Sequence, residues 1–114
     1  MDKDQALIAL SALSQETRLM TFKILLEYGR TGVAAGILSE RLNVPHNTLS
    51  FHLAHLNHAG LVTSRKQGRS VIYTANCDAT DALVNFLVEN CCIREKQQPE
   101  CSTSCTPKTK GKKK

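Results

Sequence analysis

The chain has 114 residues, of which 41% are apolar and 4% aromatic, as is typical of one small globular domain with an aliphatic core. Its net charge of +5 is concentrated at the C-terminal end, because five lysines lie in the last seven residues and acids and bases otherwise balance. The apolar stretch at residues 6–13 is far too short to span a membrane, and Asp2 and Asp4 argue against a signal peptide. We therefore expect a cytoplasmic protein without a membrane partner, in which thiols are kept reduced.

The first two helices are predicted from the spacing of apolar residues. Residues 4–13 are apolar almost all round a helix, which indicates burial on more than one side, for example against a second subunit. Ser14 is expected to cap the second helix, with Glu16 in its first turn. Apolar residues then recur at helical spacing as far as Tyr28, and Gly29 predicts the C-terminal stop.

A short helix, a tight turn and a second helix are predicted in the middle of the chain. The third helix is expected over residues 34–42, and the proline of the turn at 43–45 suits the first position of the next helix. This fourth helix, over residues 46–60, has leucines on one side and short polar side chains on the other at its N-terminal half. The inward residues are Leu49, Leu53 and Leu56, and the outward ones include His46, Asn47, Ser50 and Phe51.

A basic β-hairpin follows, which completes the element order of a winged helix-turn-helix. β-prone stretches at residues 61–66 and 70–75 flank Gln67-Gly68-Arg69, a hairpin signal. No acidic residue lies between Glu40 and Asp78, so this region suits a polyanion such as DNA. Polar side chains of the second helix would reach base edges, and cations of the hairpin would hold phosphates or enter the minor groove. The predicted DNA contacts are His46, Asn47, Thr48, Ser50, Phe51 and His52 on the helix and Arg65, Lys66 and Arg69 on the hairpin, with His52 equally consistent with packing.

The fifth helix is predicted to open at Asp78, and Val84 and Val88 widen its apolar stripe beyond what one core contact needs. Cys77, just before it, is expected to be a small buried residue. From Ile93 onward polar residues and lysines dominate, so we expect little fixed structure there. The DNA-binding and dimerisation domain is therefore expected over residues 1–92 and a tail over residues 93–114.

Three stretches resemble the ArsR/SmtB family of metalloregulatory transcriptional repressors, namely LSQETRLMTFKILL, LSERLNVPHNTLSFHLAHLNHAGLV and RKQGRSVIYT. The run from Ser50 to Val62 and the Gly-Arg turn of the hairpin are the specific parts. The resemblance implies a mainly α fold with a β-hairpin, a homodimer held by the first and last helices, and a double-stranded DNA operator as partner. No cofactor is expected for DNA binding. An enzyme is not expected, since no Cys-x-x-Cys motif or glycine-rich phosphate loop occurs.

Four of the five cysteines, Cys91, Cys92, Cys101 and Cys105, lie near the C-terminal end. Thiolates select soft ions, and three of them form the pyramidal cage that trivalent arsenic or antimony prefers. The family's cysteine pair in the third helix and its zinc site across the fifth helices have no counterpart here. A C-terminal cysteine pair followed by a later cysteine is similar to the arrangement of arsenite-sensing members, so As(III) or Sb(III) is the expected inducer. A tetrahedral zinc or cadmium site, a thiol-redox switch, a DNA-binding module whose cysteines bind no effector and, less favoured, a thiol enzyme stay open as alternatives.

Overall fold

The structure, a computed structural model, describes residues 1–95. These residues form five α-helices and three short strands. In chain order the elements are α1 (Lys3–Leu13), α2 (Glu16–Tyr28), β1 (Val33–Ala34), α3 (Ala35–Leu42), α4 (His46–His58), β2 (Val62–Gln67), β3 (Ser70–Ala75) and α5 (Cys77–Val88), with a 3-10 turn at Gly29–Thr31. Helices α3 and α4 form a helix-turn-helix and strands β2 and β3 form a wing, so the predicted winged helix-turn-helix is confirmed.

The junction between α1 and α2 differs from the sequence prediction. The prediction that Ser14 caps α2 is wrong, because Gln15 is the capping residue and its side-chain oxygen accepts the backbone N–H of Arg18 at 2.9 Å. Ser14 ends α1 instead, since its N–H and its hydroxyl both donate to the carbonyl of Ser11. The longer Gln15 side chain satisfies one of the first free N–H groups of α2, which is the task expected of Ser14. The predicted stop of α2 at Gly29, where φ is 58°, is confirmed.

The turn between α3 and α4 has the predicted form. Asn43 adopts φ 55°, a left-handed conformation that asparagine tolerates, and ends α3. The hydroxyl of Ser39 donates to the carbonyl of Val44 at 2.6 Å and closes the turn. Pro45, with φ −55°, was predicted at the first helical position but lies one residue before it, at the N-cap, because His46 begins α4. The turn therefore fixes the angle at which α4 leaves the body of the protein.

The core is aliphatic and centres on α4. Leu49, Leu53 and Leu56 are fully buried, as predicted, and they pack with Leu25 of α2 and Leu38 of α3. Burial of each leucine side chain contributes about 1.5–3 kcal/mol, so this side of α4 is held firmly to the body. The outer side of α4 is therefore presented in one fixed orientation.

The sheet is antiparallel with the strand order β1-β3-β2. Strand β1 was not predicted, because two residues are too few to show a periodic pattern and its partner β3 lies far along the chain. Gly32, just before β1, has φ 75°, and a Cβ there would lie 2.6 Å from Cγ2 of Ile72. Glycine is required there because β1 approaches β3 closely. At the tip of the wing, Gly68 with φ 64° forms the predicted hairpin turn.

Helix α5 begins one residue earlier than predicted. Asn76 caps it by accepting the backbone N–H of Ala79 at 3.2 Å, so Cys77 is its first residue. The prediction that Cys77 is buried is wrong, because a side chain at the first helical position points to solvent here. Among residues 1–95, no helix combines the length and the apolar character needed to cross a membrane.

Apolar side chains remain uncovered on α1 and α5. Leu7 and Ile8 of α1 and Val84 and Leu87 of α5 are all more than half exposed. The buried side of α1 is lined by alanines at positions 6, 9 and 12, which let α1 lie close to the body. The larger apolar side chains of α1 therefore face away from the core of this chain.

Candidate DNA-binding surface and thiol site

The N-terminal half of α4 carries an exposed polar face. His46, Asn47, Thr48 and Ser50 are all exposed. The N-cap residue Pro45 offers no side-chain cap, and no acidic residue lies in the first turn of α4, so no negative charge there offsets the positive end of the helix dipole. The side chain of Asn47 bonds locally, since its Oδ1 accepts the N–H of Thr48 at 3.0 Å. This end of α4 thus combines short polar side chains with a site that favours an anion such as phosphate.

Phe51 is the apolar exception on this face. Its side chain is 68% exposed, and its ring makes an edge-to-face contact with the ring of His52 at a centroid distance of 5.9 Å. Because so little of this side chain is buried, it contributes little to the stability of the core of its own chain. It is free to make an apolar contact with a bound molecule.

His52 differs from its neighbours because it is half-buried and hydrogen-bonded. Its Nδ1 lies 3.2 Å from Nη1 of Arg18 on α2, 34 residues away in the chain. Burial lowers the pKa of His52, and the nearby charges of Arg18 and His55 lower it further. The structure therefore shows a packing contact for His52, while its contact with DNA stays a prediction.

Arg18 was missed by sequence reasoning, although the sequence contains a signal for it. It is the third residue of α2, and the first turn of a helix disfavours cations. A cation in that position indicates a partner that offsets the cost. The partner could not be named from the sequence, because α4 approaches α2 only in the folded chain.

The three cations of the wing do not have the same role. Arg65 donates from Nη1 and Nη2 to the carbonyls of Arg30 and Thr31, at 3.3 and 3.0 Å, and so ties β2 to the turn after α2. Lys66 and Arg69 are exposed at the tip of the wing. Arg65 is exposed as well, although its guanidinium group is anchored, and a DNA contact of each of the three cations stays a prediction.

Cys91 and Cys92 lie in a turn after α5. The N–H of Cys91 donates to the carbonyl of Val88, the last residue of α5, at 2.9 Å, and Cys92 has φ 61°. Because the helix has ended, the two side chains do not diverge as neighbours on a helix would, and their Sγ atoms lie 3.5 Å apart. Cys101 and Cys105, the other predicted ligands, lie outside the described residues.

The separation of the two Sγ atoms can be compared with the needs of a bound ion. For bonds of about 2.3 Å, as in zinc thiolates, two sulfurs 3.5 Å apart subtend roughly 100° at the ion. A tetrahedral ion with the same bonds would need the sulfurs about 3.8 Å apart. The two separations are close, so the two sulfurs could share one soft ion of either pyramidal or tetrahedral geometry. Within residues 1–95, no three His, Cys, Asp or Glu side chains are grouped so as to hold a metal ion.

Comparison with known proteins supports this description of the fold and the DNA-binding elements. The helix-turn-helix domain family matches residues 13–65. The transcriptional activator HlyU of Vibrio cholerae is 35% identical over 83 residues, which cover 73% of this chain and 74% of HlyU. An ArsR-like transcriptional regulator from Rhodococcus sp. RHA1 has a solved structure that matches with a TM-score of 0.64 at 32% identity, covering 74% of this chain and 76% of that one. The chain belongs to the ArsR family of DNA-binding transcriptional regulators.

Three further solved structures are similar to this chain. A solved structure of HlyU matches with a TM-score of 0.63 at 33% identity and covers 76% of this chain and 97% of that one. A second structure of the same protein is described as reduced HlyU. A structure described as a possible transcriptional regulator for arsenical resistance matches with a TM-score of 0.62 at 25% identity, covering 69% of this chain and 79% of that one.

Proposed function

We propose that this ArsR protein is a dimeric repressor that releases its DNA operator when trivalent arsenic or antimony binds its C-terminal thiolates. The observation that carries the proposal is the 3.5 Å separation of the Sγ atoms of Cys91 and Cys92, directly after α5. The exposed face of α4 and the outward cations of the wing supply the DNA-binding half of the function.

The uncovered apolar side chains of α1 and α5 support a homodimer. Leu7 and Ile8 on one helix and Val84 and Leu87 on the other would become buried when two copies associate through these helices. A twofold dimer presents two copies of α4 to successive major grooves, about 34 Å apart, which matches a pseudo-palindromic operator. Dimerisation therefore doubles the contacts and sets the spacing of the half-sites.

The residues of α4 and the wing have separate roles in this proposal. His46, Asn47, Thr48 and Ser50 reach base edges or phosphates in the major groove. Phe51 contacts the C5-methyl group of a thymine, the one apolar group that the major groove offers. On the wing, Lys66 and Arg69 hold phosphates, and Arg65 adds positive charge while it ties the wing to the body.

Inducer binding is a ligand exchange without a change of oxidation state. Arsenite in solution carries three hydroxyl groups. Each thiol that attacks arsenic loses its proton to a leaving hydroxyl group, so three S–As bonds form and three waters leave. Cys91 and Cys92 supply two of the thiolates, and Cys101 or Cys105 supplies the third. Their soft sulfur atoms favour trivalent arsenic and antimony over hard cations.

A thiol-redox switch is the second candidate. The short distance between the two Sγ atoms places two oxidisable groups together, and the related HlyU has a structure distinguished as the reduced form. Oxidation would then change the end of α5 by forming a disulfide, with an oxidant accepting the two electrons. A site for Zn(II) or Cd(II) is a third alternative, which the spacing of the four cysteines favours less, because it lacks the paired short loops of usual zinc sites.

The test is fluorescence anisotropy of the reduced protein on DNA selected from random sequence for binding to it. Parallel titrations with arsenite, antimonite, Zn(II), Cd(II) and a thiol oxidant should show release by the two trivalent metalloids alone. The variants Cys91→Ser and Cys92→Ser should bind DNA normally and resist release. Cys77→Ser is the matched control, since it removes an exposed thiol at the other end of α5, and it should respond like the wild type.

Each other result would reject a defined part of the proposal. Release by Zn(II) or Cd(II) would replace the pyramidal site with a tetrahedral one, and release by the oxidant alone would establish the redox switch. Loss of DNA binding in the serine variants would show that the thiols maintain the fold. Failure of the wild type to select any DNA would reject the DNA-binding half itself.

A further inference from the structure

One guanidinium group joins three helices close to the DNA-binding face. Nε of Arg18, in the first turn of α2, donates to the carbonyl of Ala12 in the last turn of α1 at 2.7 Å. Nη1 of the same side chain lies 3.2 Å from Nδ1 of His52 on α4. Arg18 thus connects the end of α1 to the helix that carries the predicted DNA contacts.

The chemistry of the pair determines the tautomer of His52. Arginine has five N–H donors and no acceptor, so Nδ1 of His52 can take part in this hydrogen bond only as the acceptor. The neutral imidazole therefore carries its hydrogen on Nε2, the ring nitrogen directed away from Arg18. Burial and the charge of Arg18 lower the pKa of His52, which favours this neutral form.

The ring of His52 also contacts a neighbouring aromatic ring. The ring of Phe51 lies against it edge-to-face, with an interplanar angle of 64°. Contacts with both Arg18 and Phe51 limit the rotamers of His52. A ring held in this way can offer Nε2–H as a donor without losing further side-chain entropy on binding.

We propose that Arg18 is a positioning residue for DNA recognition, which holds His52 as an Nε2–H donor to the DNA and ties α4 to the end of α1. This inference rests on the DNA contact of His52 in the proposed function. The acceptor is a phosphate oxygen or the N7 of a purine, both of which lack a hydrogen of their own. A lysine could not replace Arg18, since a single ammonium group on a flexible stem does not bridge Ala12 and His52 with fixed geometry.

The first part of the test is spectroscopic and needs no DNA. The 15N chemical shifts of the imidazole of His52 report which nitrogen carries the hydrogen. We expect the Nε2–H tautomer in the wild type and a mixture of tautomers in Arg18→Gln and in Arg18→Lys. Lys23→Gln is the matched control, because it removes one exposed cation from the same helix, and it should keep the wild-type tautomer.

The second part measures affinity for the selected operator in a double-mutant cycle. Arg18→Gln should weaken binding roughly tenfold, as expected for one poorly placed hydrogen bond in each half-site. The same change made on a His52→Ala background should cost little more, because Arg18 acts through His52. Arg18→Lys should behave like Arg18→Gln if the bridge matters, and like the wild type if only the charge does.

The outcomes separate this inference from the proposed function. An unchanged tautomer in both Arg18 variants would overturn the positioning role, whatever the affinities are. Equal reductions of affinity from Arg18→Gln with and without His52 would also overturn it, since Arg18 would then act by another route. A wild-type protein with the expected tautomer that binds no DNA would reject the proposed function, and with it the DNA contact of His52.

Discussion

Replacement of operator thymines by uracil gives a direct test of the role proposed for Phe51. Uracil presents the same hydrogen-bonding groups as thymine and lacks only the C5-methyl group. The side chain of Phe51 is 68% exposed, so most of its apolar surface is available for such a contact. Burial of one methyl group contributes about 0.8 kcal/mol, or roughly a fourfold change in affinity. With one contacted thymine in each of two half-sites, the expected weakening is roughly fifteenfold.

The complementary change is Phe51→Ala. Full burial of a phenylalanine side chain contributes about 1.5–3 kcal/mol, and the exposed two-thirds of Phe51 can recover about 1–2 kcal/mol of this in each half-site. The assay is anisotropy at one fixed salt concentration, with each thymine of the operator replaced in turn. Thermal unfolding of the variant serves as the control, and it should change little, because the removed ring contributes little to the core.

The two changes should be coupled. If Phe51 contacts a thymine methyl group, the variant Phe51→Ala should bind the thymine and uracil operators equally well, since the partner of the methyl group has been removed. The reasoning is refuted if no single replacement by uracil weakens binding of the wild type. It is equally refuted if uracil weakens binding of the wild type and the variant by the same factor, because the methyl group would then act through the shape of the DNA.

Three further predictions concern stability and charge. Gly32→Ala should lower the free energy of unfolding, measured by urea denaturation, by roughly 2–4 kcal/mol. The new methyl group would lie 2.6 Å from Cγ2 of Ile72, and residue 32 has a φ of 75°. An unchanged free energy of unfolding would refute the close approach of β1 to β3. Lys66→Gln should reduce the slope of log affinity against log salt by about one for each phosphate that is no longer neutralised. Arg65→Gln should instead mainly lower the melting temperature. If the two variants show the reverse effects, Arg65 is the phosphate contact and Lys66 the residue that stabilises the fold. Because the pKa of His52 is lowered in the folded protein, the unfolded state binds the proton of this side chain more readily. The free energy of unfolding should therefore fall as the pH drops below about 6.5, and it should level off below the pKa of the folded state. Urea denaturation of His52→Gln at the same pH values should lack this trend.

The helix-turn-helix and the wing could be predicted because their signals are local. The leucines of α4 recur at helical spacing, Pro45 marks the start of the helix, and Gly68 marks the hairpin turn. Each signal depends on residues within one or two turns of chain. For this reason the bounds of α4, β2 and β3 differ from the prediction by no more than two residues.

The missed features all depend on partners distant in the chain. Strand β1 exists only because β3 pairs with it. The contacts of Arg18 with His52 and of Arg65 with Thr31 join residues more than 30 positions apart, so their sequence neighbours give no indication of them. The wrong cap of α2 has a different cause. Serine is a commoner capping residue than glutamine, so the cap was assigned to Ser14, whereas Gln15 accepts the N–H of Arg18 in the structure.

The cysteine site was predicted only in part. Composition indicated soft-ion or redox chemistry, but a helical register would have placed Cys91 and Cys92 about 100° apart on the helix. The structure ends α5 at Val88 and gives Cys92 a left-handed conformation, which brings the Sγ atoms together. Metal binding by Cys91, Cys92, Cys101 and Cys105 stays a prediction, and the last two lie outside the described residues.

An inducer at the cysteine pair can change operator affinity only if it binds two arrangements of the dimer unequally. The N–H of Cys91 bonds to the last residue of α5, α5 packs against α1, and the end of α1 accepts a hydrogen bond from Arg18. Arg18 in turn holds His52 on α4. A tenfold change in operator affinity corresponds to a free energy of about 1.4 kcal/mol. One hydrogen bond between these elements can contribute a free energy of this size. If the proposed inducer binds at the cysteine pair, its coupling to the operator would need no large rearrangement of the core, since a small shift of α1 and α5 would reach α4 through the two hydrogen bonds of Arg18.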